Sequence, residues 1–134
     1  MLAAMDAAQA IGDLTEISPQ ILEVAIIGAN GSIVGANASE SAAARLAAAA
    51  AKLVDEAERL RPGVAQLEAA TVSGSVFVVR DGGRLIAATT TPEPTVGLVF
   101  YDLKTCLRSV DEARPKKRRA PAKKAEPEVD DAAS

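Results

Sequence analysis

The sequence predicts an α+β domain in which helices pack on a five-stranded antiparallel sheet, in the order α-β-β-α-β-β-β-α. Three observations predict this architecture. Two apolar strands flank an Asn-Gly turn over residues 21–37, an alanine-rich helix over 40–61 leads into three closely spaced strand segments over 64–91, and a sharply amphipathic helix follows over 96–110. None of these segments carries a catalytic motif, so the pattern indicates a module that acts through its surfaces.

The first strand pair is marked by Asn30-Gly31, which lies between two apolar runs. Asn-Gly tolerates the positive φ values of a type I′ turn, whose twist matches that of paired strands, so we predict a hairpin closed by such a turn. Gly28, Gly31 and Gly35 do not have the spacing of a dinucleotide-binding loop or a P-loop. We therefore interpret these glycines as turn and close-packing residues.

The alanine-rich helix is predicted to begin at an approximate capping box formed by Asn37 and Glu40. One face repeats leucine every seven residues with alanines beside it, and the charged residues fall largely outside that stripe: Leu46, Leu53, Leu60; Ala49, Ala50, Ala57; Arg45, Lys52, Asp55, Glu56, Arg59. The alanine run over 47–51 leaves little side-chain bulk, so another backbone can approach closely. The stripe fits a helix that lies on its own sheet, and it equally fits contact with the helix of a second subunit.

Three strand segments are predicted after Pro62-Gly63, over residues 64–72, 75–80 and 84–91. Ser73-Gly74 and the Asp81-Gly82-Gly83 run supply the turns between them, which gives a meander. Three threonines close the last strand, and we interpret them as strand residues because no base accompanies their hydroxyl groups: Thr89, Thr90 and Thr91.

The last helix is predicted to follow Pro92 and Pro94, with Thr95 as its cap. Its apolar stripe repeats at helical spacing: Val96, Val99, Phe100, Leu103, Leu107 and Val110. Cys106 lies beside that stripe without a basic neighbour in sequence, so we predict a small buried hydrophobe. A further, weakly amphipathic helix is predicted near the N-terminus, over residues 2–14.

The composition argues against most enzyme classes. The chain has no His, one Cys and no Trp. This composition excludes histidine acid–base catalysis, Cys-His nucleophile pairs and zinc sites of the Cys/His kind. We therefore expect no catalytic, cofactor or metal site. A single thiol forms no internal disulfide, and the sequence shows neither a bilayer-spanning apolar run nor a secretory signal. We expect a soluble cytoplasmic protein.

The net charge of −3 conceals two opposed segments. Residues 114–124 contain seven of the 15 Lys and Arg residues, and the following segment contains four of the 18 Asp and Glu residues, which leaves residues 1–113 with 8 basic and 14 acidic side chains. Proline and charge replace nearly every large apolar side chain after residue 113, so we predict a domain over 1–113 and a disordered tail over 114–134. The basic tail residues are Lys116, Lys117, Arg118, Arg119, Lys123 and Lys124.

The hairpin over 23–37, the Ala/Leu helix after it, the strand Gly83-Arg-Leu-Ile-Ala-Ala-Thr89 and the closing helix over 96–104 together resemble the Roadblock/LC7 family. The resemblance covers residues 5–111 and implies the profilin-like architecture of that family. It also implies a non-enzymatic homodimer whose sheets join edge to edge through the third strand, with the second helices side by side. Bacterial members commonly associate with Ras-like small GTPases as scaffolds or regulators.

The resemblance places a dimer seam on the central helix and the third strand, at Leu46, Ala50, Leu53, Ala57, Leu60, Val64, Leu67, Ala69 and Thr71. A small core with three aromatic residues, Phe77, Phe100 and Tyr101, also favours association, because a partner would add buried area and cover an exposed strand edge. We therefore predict a homodimeric adaptor that binds or regulates a Ras-like small GTPase. Arg45, Lys52 and Arg59 recur every seven residues and form a candidate partner-binding ridge.

The alternative prediction is an accessory protein that binds nucleic acid or another anionic surface through the basic segment over 114–124. A steep salt dependence of DNA binding would favour it. The sequence identifies neither the GTPase nor whether contact speeds hydrolysis or only recruits.

Overall fold

A computed structural model describes residues 6–112, and the predicted order of helices and strands is confirmed. The elements are α1 (Ala7–Ile17), β1 (Ile21–Ile27), β2 (Ile33–Ala36), α2 (Glu40–Leu60), β3 (Gln66–Thr71), β4 (Gly74–Asp81), β5 (Arg84–Thr90) and α3 (Val96–Glu112). The predictions for the tail, including its basic residues, lie outside the described residues.

The five strands form one antiparallel sheet in the order β2-β1-β5-β4-β3. β5 therefore inserts between the hairpin strand β1 and the meander strand β4, while β2 and β3 form the two edges. The pairing of β1 with β5 runs from Ile21 opposite Thr90 to Ile27 opposite Leu85. This long central pairing joins the first half of the chain to the second, so the two halves share one sheet.

Helices cover both faces of the sheet. α1 and α3 pack on the first face, where alternate strand residues form one core cluster around Val24, Ile26, Phe77 and Ile86. α2 packs on the second face over the intervening strand residues: Ala25, Ile27, Val78 and Ala87. The period-two alternation of each strand thus supplies both cores, which explains why each central strand contains an uninterrupted apolar run, over residues 24–27, 76–79 and 85–88.

The first core contains the largest fully buried side chain, Phe77. Its ring meets Phe100 of α3 edge to face, with centroids 4.9 Å apart and an interplanar angle of 73°. Cys106 is buried among the same neighbours, as predicted. Val96 departs from the predicted apolar stripe of α3, because it occupies the first helical turn and is 40% exposed.

The hairpin is confirmed, but its predicted type I′ turn is wrong. Gly31 N donates to Gly28 O at 2.9 Å and Gly28 N donates to Ser32 O at 2.8 Å, so the loop contains five residues. Asn30 does not adopt a positive φ; instead its side-chain oxygen accepts from Ser32 N at 3.1 Å. A two-residue turn with both φ values positive does occur, at Gly82-Gly83 between β4 and β5.

The predicted cap of α2 is also wrong by two residues. Ser39 caps the helix by accepting from Ala42 N at 3.2 Å. The Asn37 side chain instead bridges to β1, where it accepts from Val24 N at 2.7 Å and donates to Leu22 O at 3.1 Å. α1 begins after its Asp6 cap and continues to Ile17, three residues beyond the predicted end.

Candidate protein interaction site

The candidate ridge lies on the outer face of α2. Arg45, Lys52 and Arg59 are all exposed there. Arg59 pairs with Glu56 at 2.9 Å one turn away, and both side chains remain largely in solvent. Among residues 6–112, no carboxylate forms a salt bridge with Arg45 or Lys52. These two cations are therefore available to an acidic partner.

The predicted seam residues of α2 divide into two groups. Leu46 and Ala50 are buried against this chain's own sheet, together with Ala43 and Val54. The others in the predicted stripe turn progressively outward: Leu53 and Ala57 are half-buried and Leu60 is 82% exposed. The stripe thus lies on the sheet at its N-terminal end and faces away from it at its C-terminal end.

The sheet is left partly open beside that outward-turning end of α2. α2 makes its main contacts with β1, β2 and β5, whereas β4 and the edge strand β3 lie to one side of it. On the face of the sheet that α2 covers, Leu67 and Ala69 of β3 are half-buried, as is Val76 of β4. The other predicted seam residues lie nearby in the chain: Val64 is half-buried and Thr71 is exposed.

We group the partly or fully exposed apolar residues at the end of α2 and on this face of β3 and β4 under the name open strip: Leu53, Ala57, Leu60, Leu67, Ala69 and Val76. Leu53, Leu67 and Val76 pack against the α2-side core cluster while keeping part of their area in solvent. The strip borders the outer edge of β3, and within residues 6–112 the partner of β3 is β4 alone. An apolar surface next to an unpaired strand edge has the composition and the backbone groups that bind another polypeptide.

A polar contact fixes the end of α2 next to this surface. Glu58 accepts from Gly63 N at 2.9 Å, Val64 N at 3.1 Å and Arg80 Nη2 at 3.0 Å. The backbone donors Gly63 and Val64, then the Arg80 guanidinium, lower the pKa of Glu58 below its ordinary value of 4.5, against an opposing effect of burial. No local sequence pattern predicted this contact, because Glu58 and Arg80 are 22 residues apart.

The described residues offer little for metal or thiol chemistry. Burial, and then the charge of Asp13, raise the pKa of the Cys106 thiol to about 12, which disfavours the nucleophilic thiolate. Among residues 6–112 no three His, Cys, Asp or Glu side chains are grouped so that they could hold a metal ion. In the same range, every helix is too short or too polar to cross a membrane.

Comparison with solved structures identifies the fold. A Roadblock/LC7 domain from Streptomyces avermitilis superposes with a TM-score of 0.70 at 18% identity, covering 81% of this chain and 97% of that domain. The gliding protein MglB of Thermus thermophilus superposes at 0.61 with 13% identity, covering 80% of this chain and 87% of MglB. An MglB structure with a tetrameric arrangement superposes at 0.60 with 14% identity, covering 80% and 89% of the two chains.

The chain therefore has the Roadblock/LC7 fold, as its sequence predicted. No protein-family model matches the sequence, and no curated protein matches it either. At such low identity, partners and activity have to be argued from the surfaces of this chain.

Proposed function

We propose that this protein is a non-enzymatic homodimeric adaptor that binds a Ras-like small GTPase in the cytoplasm. The observation that carries the proposal is the open strip beside the unpaired edge of β3, together with the exposed cationic ridge on the adjacent helix α2. The strip accounts for self-association, and the ridge accounts for an acidic partner. The Roadblock/LC7 fold supports both, because the resemblance noted in the sequence implies the same pairing and the same class of partner.

The dimer would place β3 of one subunit beside β3 of the other and the two α2 helices side by side. Leu53, Ala57 and Leu60 would then cover the strip of the partner subunit, while Leu46 and Ala50 remain in the core of their own subunit. The small alanine side chains of α2 permit close approach of the two helices. Pairing the β3 edges would also satisfy backbone groups that otherwise attract uncontrolled strand addition.

Light scattering of the full chain tests the dimer. At micromolar concentration we expect twice the chain mass of 13.7 kDa. Leu60→Lys should lower the dimer fraction, because it places a charge in the proposed contact without disturbing the core. Leu98→Lys is the matched control, since Leu98 is 49% exposed on the opposite layer. A single-chain mass for the parent protein would contradict the dimer.

The GTPase contact is proposed on the ridge formed by Arg45, Lys52 and Arg59. In a dimer with adjacent α2 helices, the two ridges would lie on the same side and present cations from both subunits. Charges at the rim of an interface act mainly through the association rate, and salt screens them. The proposal therefore predicts a kinetic effect with little change in the fold.

The binding test compares two double charge reversals. Arg45→Glu with Lys52→Glu should slow association with a small GTPase of the same organism by about tenfold at low salt and should flatten the salt dependence. Lys104→Glu with Arg108→Glu reverses the same number of charges on the opposite layer and should leave association nearly unchanged. The measurement is stopped-flow binding with the GTPase loaded with GDP or with a GTP analogue. Absence of binding in both nucleotide states would contradict the GTPase proposal and leave the dimer proposal standing.

A further inference from the structure

A narrow groove separates α1 from α3 on the face of the molecule opposite the open strip. Thr95 N donates to Gln20 Oε1 at 2.8 Å, so the end of α1 lies beside the start of α3 and the two packed helices run antiparallel. The groove encloses about 140 Å³. Leu14 and Ile17 of α1 form an apolar wall, and Asp102 and Thr105 of α3 lie across from them.

The groove contains a buried carboxyl group without a partner. Asp102 is only 7% exposed. Of the hydrogen bonds and salt bridges among residues 6–112, none reaches its side chain. Its oxygens still reach water at the groove, since Ser18 Oγ is the enclosed side-chain atom without a partner among residues 6–112. A donor that enters the groove would replace this water and bond to a carboxyl group that is otherwise nearly covered.

The surroundings of Asp102 specify the charge of that donor. Asp13 lines the same groove, close enough to the Cys106 thiol to influence its titration. α1 and its cap carry three carboxylates, Asp6, Asp13 and Glu16, and no Lys or Arg. A long cationic side chain fits such a groove, because its aliphatic part packs on apolar walls while its charged end reaches the carboxyl groups.

We propose that the groove between α1 and α3 binds the basic segment of this same chain, residues 116–119 (Lys-Lys-Arg-Arg), with a cationic side chain paired to Asp102 and Asp13. The length of the chain supports this occupant. Ten residues of helix separate Asp102 from Glu112, a distance of about 15 Å. A chain that turns back in extended form covers about 3.3 Å per residue, so about five residues beyond Glu112 bring residues 117–119 to Asp102.

Two further features favour this segment over a separate molecule. Pro115 removes a helical hydrogen-bond donor directly before the four cations, which favours a change of direction there. Because groove and segment belong to one chain, the effective concentration is high, reaching the millimolar range for short flexible linkers. Such a contact holds the cations on the acidic α1 side of the molecule, away from the open strip, and salt weakens it.

The test uses full-length protein and ¹H–¹⁵N spectra recorded at low salt. Lys117→Gln with Arg118→Gln should shift the amide signals of Asp13, Asp102 and Thr105, because it removes the cations from the groove. Lys123→Gln with Lys124→Gln removes two charges farther along the tail and should leave those signals in place. Asp102→Asn should abolish the response to the first pair of substitutions, and so should about 0.5 M salt, at which the screening length falls to a few ångströms.

Three results would overturn the proposal. Unchanged groove signals in the Lys117→Gln, Arg118→Gln variant would mean that the segment does not bind there. Equal shifts in both tail variants would indicate diffuse attraction to an acidic surface without a defined site. A response of the groove signals that disappears on tenfold dilution would assign the contact to a second copy of the chain.

Discussion

The two faces of the sheet differ in how completely this chain covers them. On the first face α1 lies over the hairpin strands and α3 over β4 and β5, and the core between them is built from large side chains such as Phe77, Phe100 and Leu103. On the second face the single helix α2 lies over β1, β2 and β5, and much of its contact is made by alanine. The chain covers the first, more closed face over four of its five strands, whereas the second face ends in the open strip.

The difference follows from side-chain volume and helix number. A phenylalanine at a sheet position holds its helix well away from the backbone and fills the space between them, whereas Ala50 lets α2 sit close to the sheet over a narrow area. One closely packed helix cannot span five strands, because neighbouring strands are about 4.8 Å apart and a helix is about 10 Å wide. The second face therefore has room for another helix beside α2.

The first prediction tests whether the closed face carries most of the folding free energy. Phe77→Ala should lower the free energy of unfolding by about 3–5 kcal/mol, because it removes a fully buried ring and its contact with Phe100. Leu67→Ala on the open strip should cost about 1 kcal/mol or less in the dissociated chain, since Leu67 is only half-buried. Urea unfolding of both variants at low protein concentration measures the difference. Equal losses would contradict the comparison.

The second prediction tests the close fit of α1 on the hairpin. A Cβ atom at Gly35 would lie 2.5 Å from Ala7 Cβ, so Gly35→Ala should cost about 1–3 kcal/mol through displacement of α1. Gly12→Ala on the exposed side of the same helix meets no atom within 4 Å and should stabilise the protein by up to about 1 kcal/mol. Thermal unfolding of the two variants supplies the measurement. A neutral Gly35→Ala would mean that α1 is free to shift on the sheet.

The order of elements was predictable because each break has a local chemical mark. Pro62-Gly63 ends α2, Gly82-Gly83 closes the last hairpin, and Pro92 and Pro94 separate β5 from α3. Alternation within the strands did not reveal which face would be closed, because both faces of a central strand are apolar. The extent to which a face is covered depends on how many helices lie over it, which is a feature of the whole fold.

The leucine stripe of α2 does not follow the buried face of the helix along its whole length, for a geometric reason. Leu46, Leu53 and Leu60 repeat every seven residues, but a straight helix of 3.6 residues per turn drifts by about 20° per heptad. Over two heptads the stripe therefore rotates away from the sheet, and the buried positions follow the sequence Ala43, Leu46, Ala50 and Val54 instead. Leu60 consequently lies at the exposed end. The cap at Ser39 was missed because Asn37 bonds to β1, a contact between residues distant in sequence.

The smallest predicted effect concerns the polar contact at the end of α2, which supplements the sparse apolar packing of the second face. The Gly63 and Val64 amides and the Arg80 guanidinium lower the pKa of Glu58 in the folded protein. The carboxylate therefore contributes its full stabilisation at pH values above the ordinary pKa of 4.5, and this stabilisation is lost as the pH falls through the lower pKa of the folded state. Glu58→Gln should slightly lower the thermal midpoint at neutral pH and reduce its decline below pH 4.5.

Glu56→Gln is the matched control for this measurement. Glu56 forms only the exposed pair with Arg59 one turn away, and such pairs contribute little to stability. Its substitution should therefore leave the acid decline of the parent protein in place. Thermal midpoints of the three proteins, measured from neutral pH down to about pH 3 at one ionic strength, separate the two carboxylates. If Glu58→Gln and the parent protein decline identically, the Glu58 contact adds nothing measurable to stability, and the second face depends on apolar contacts as the first does.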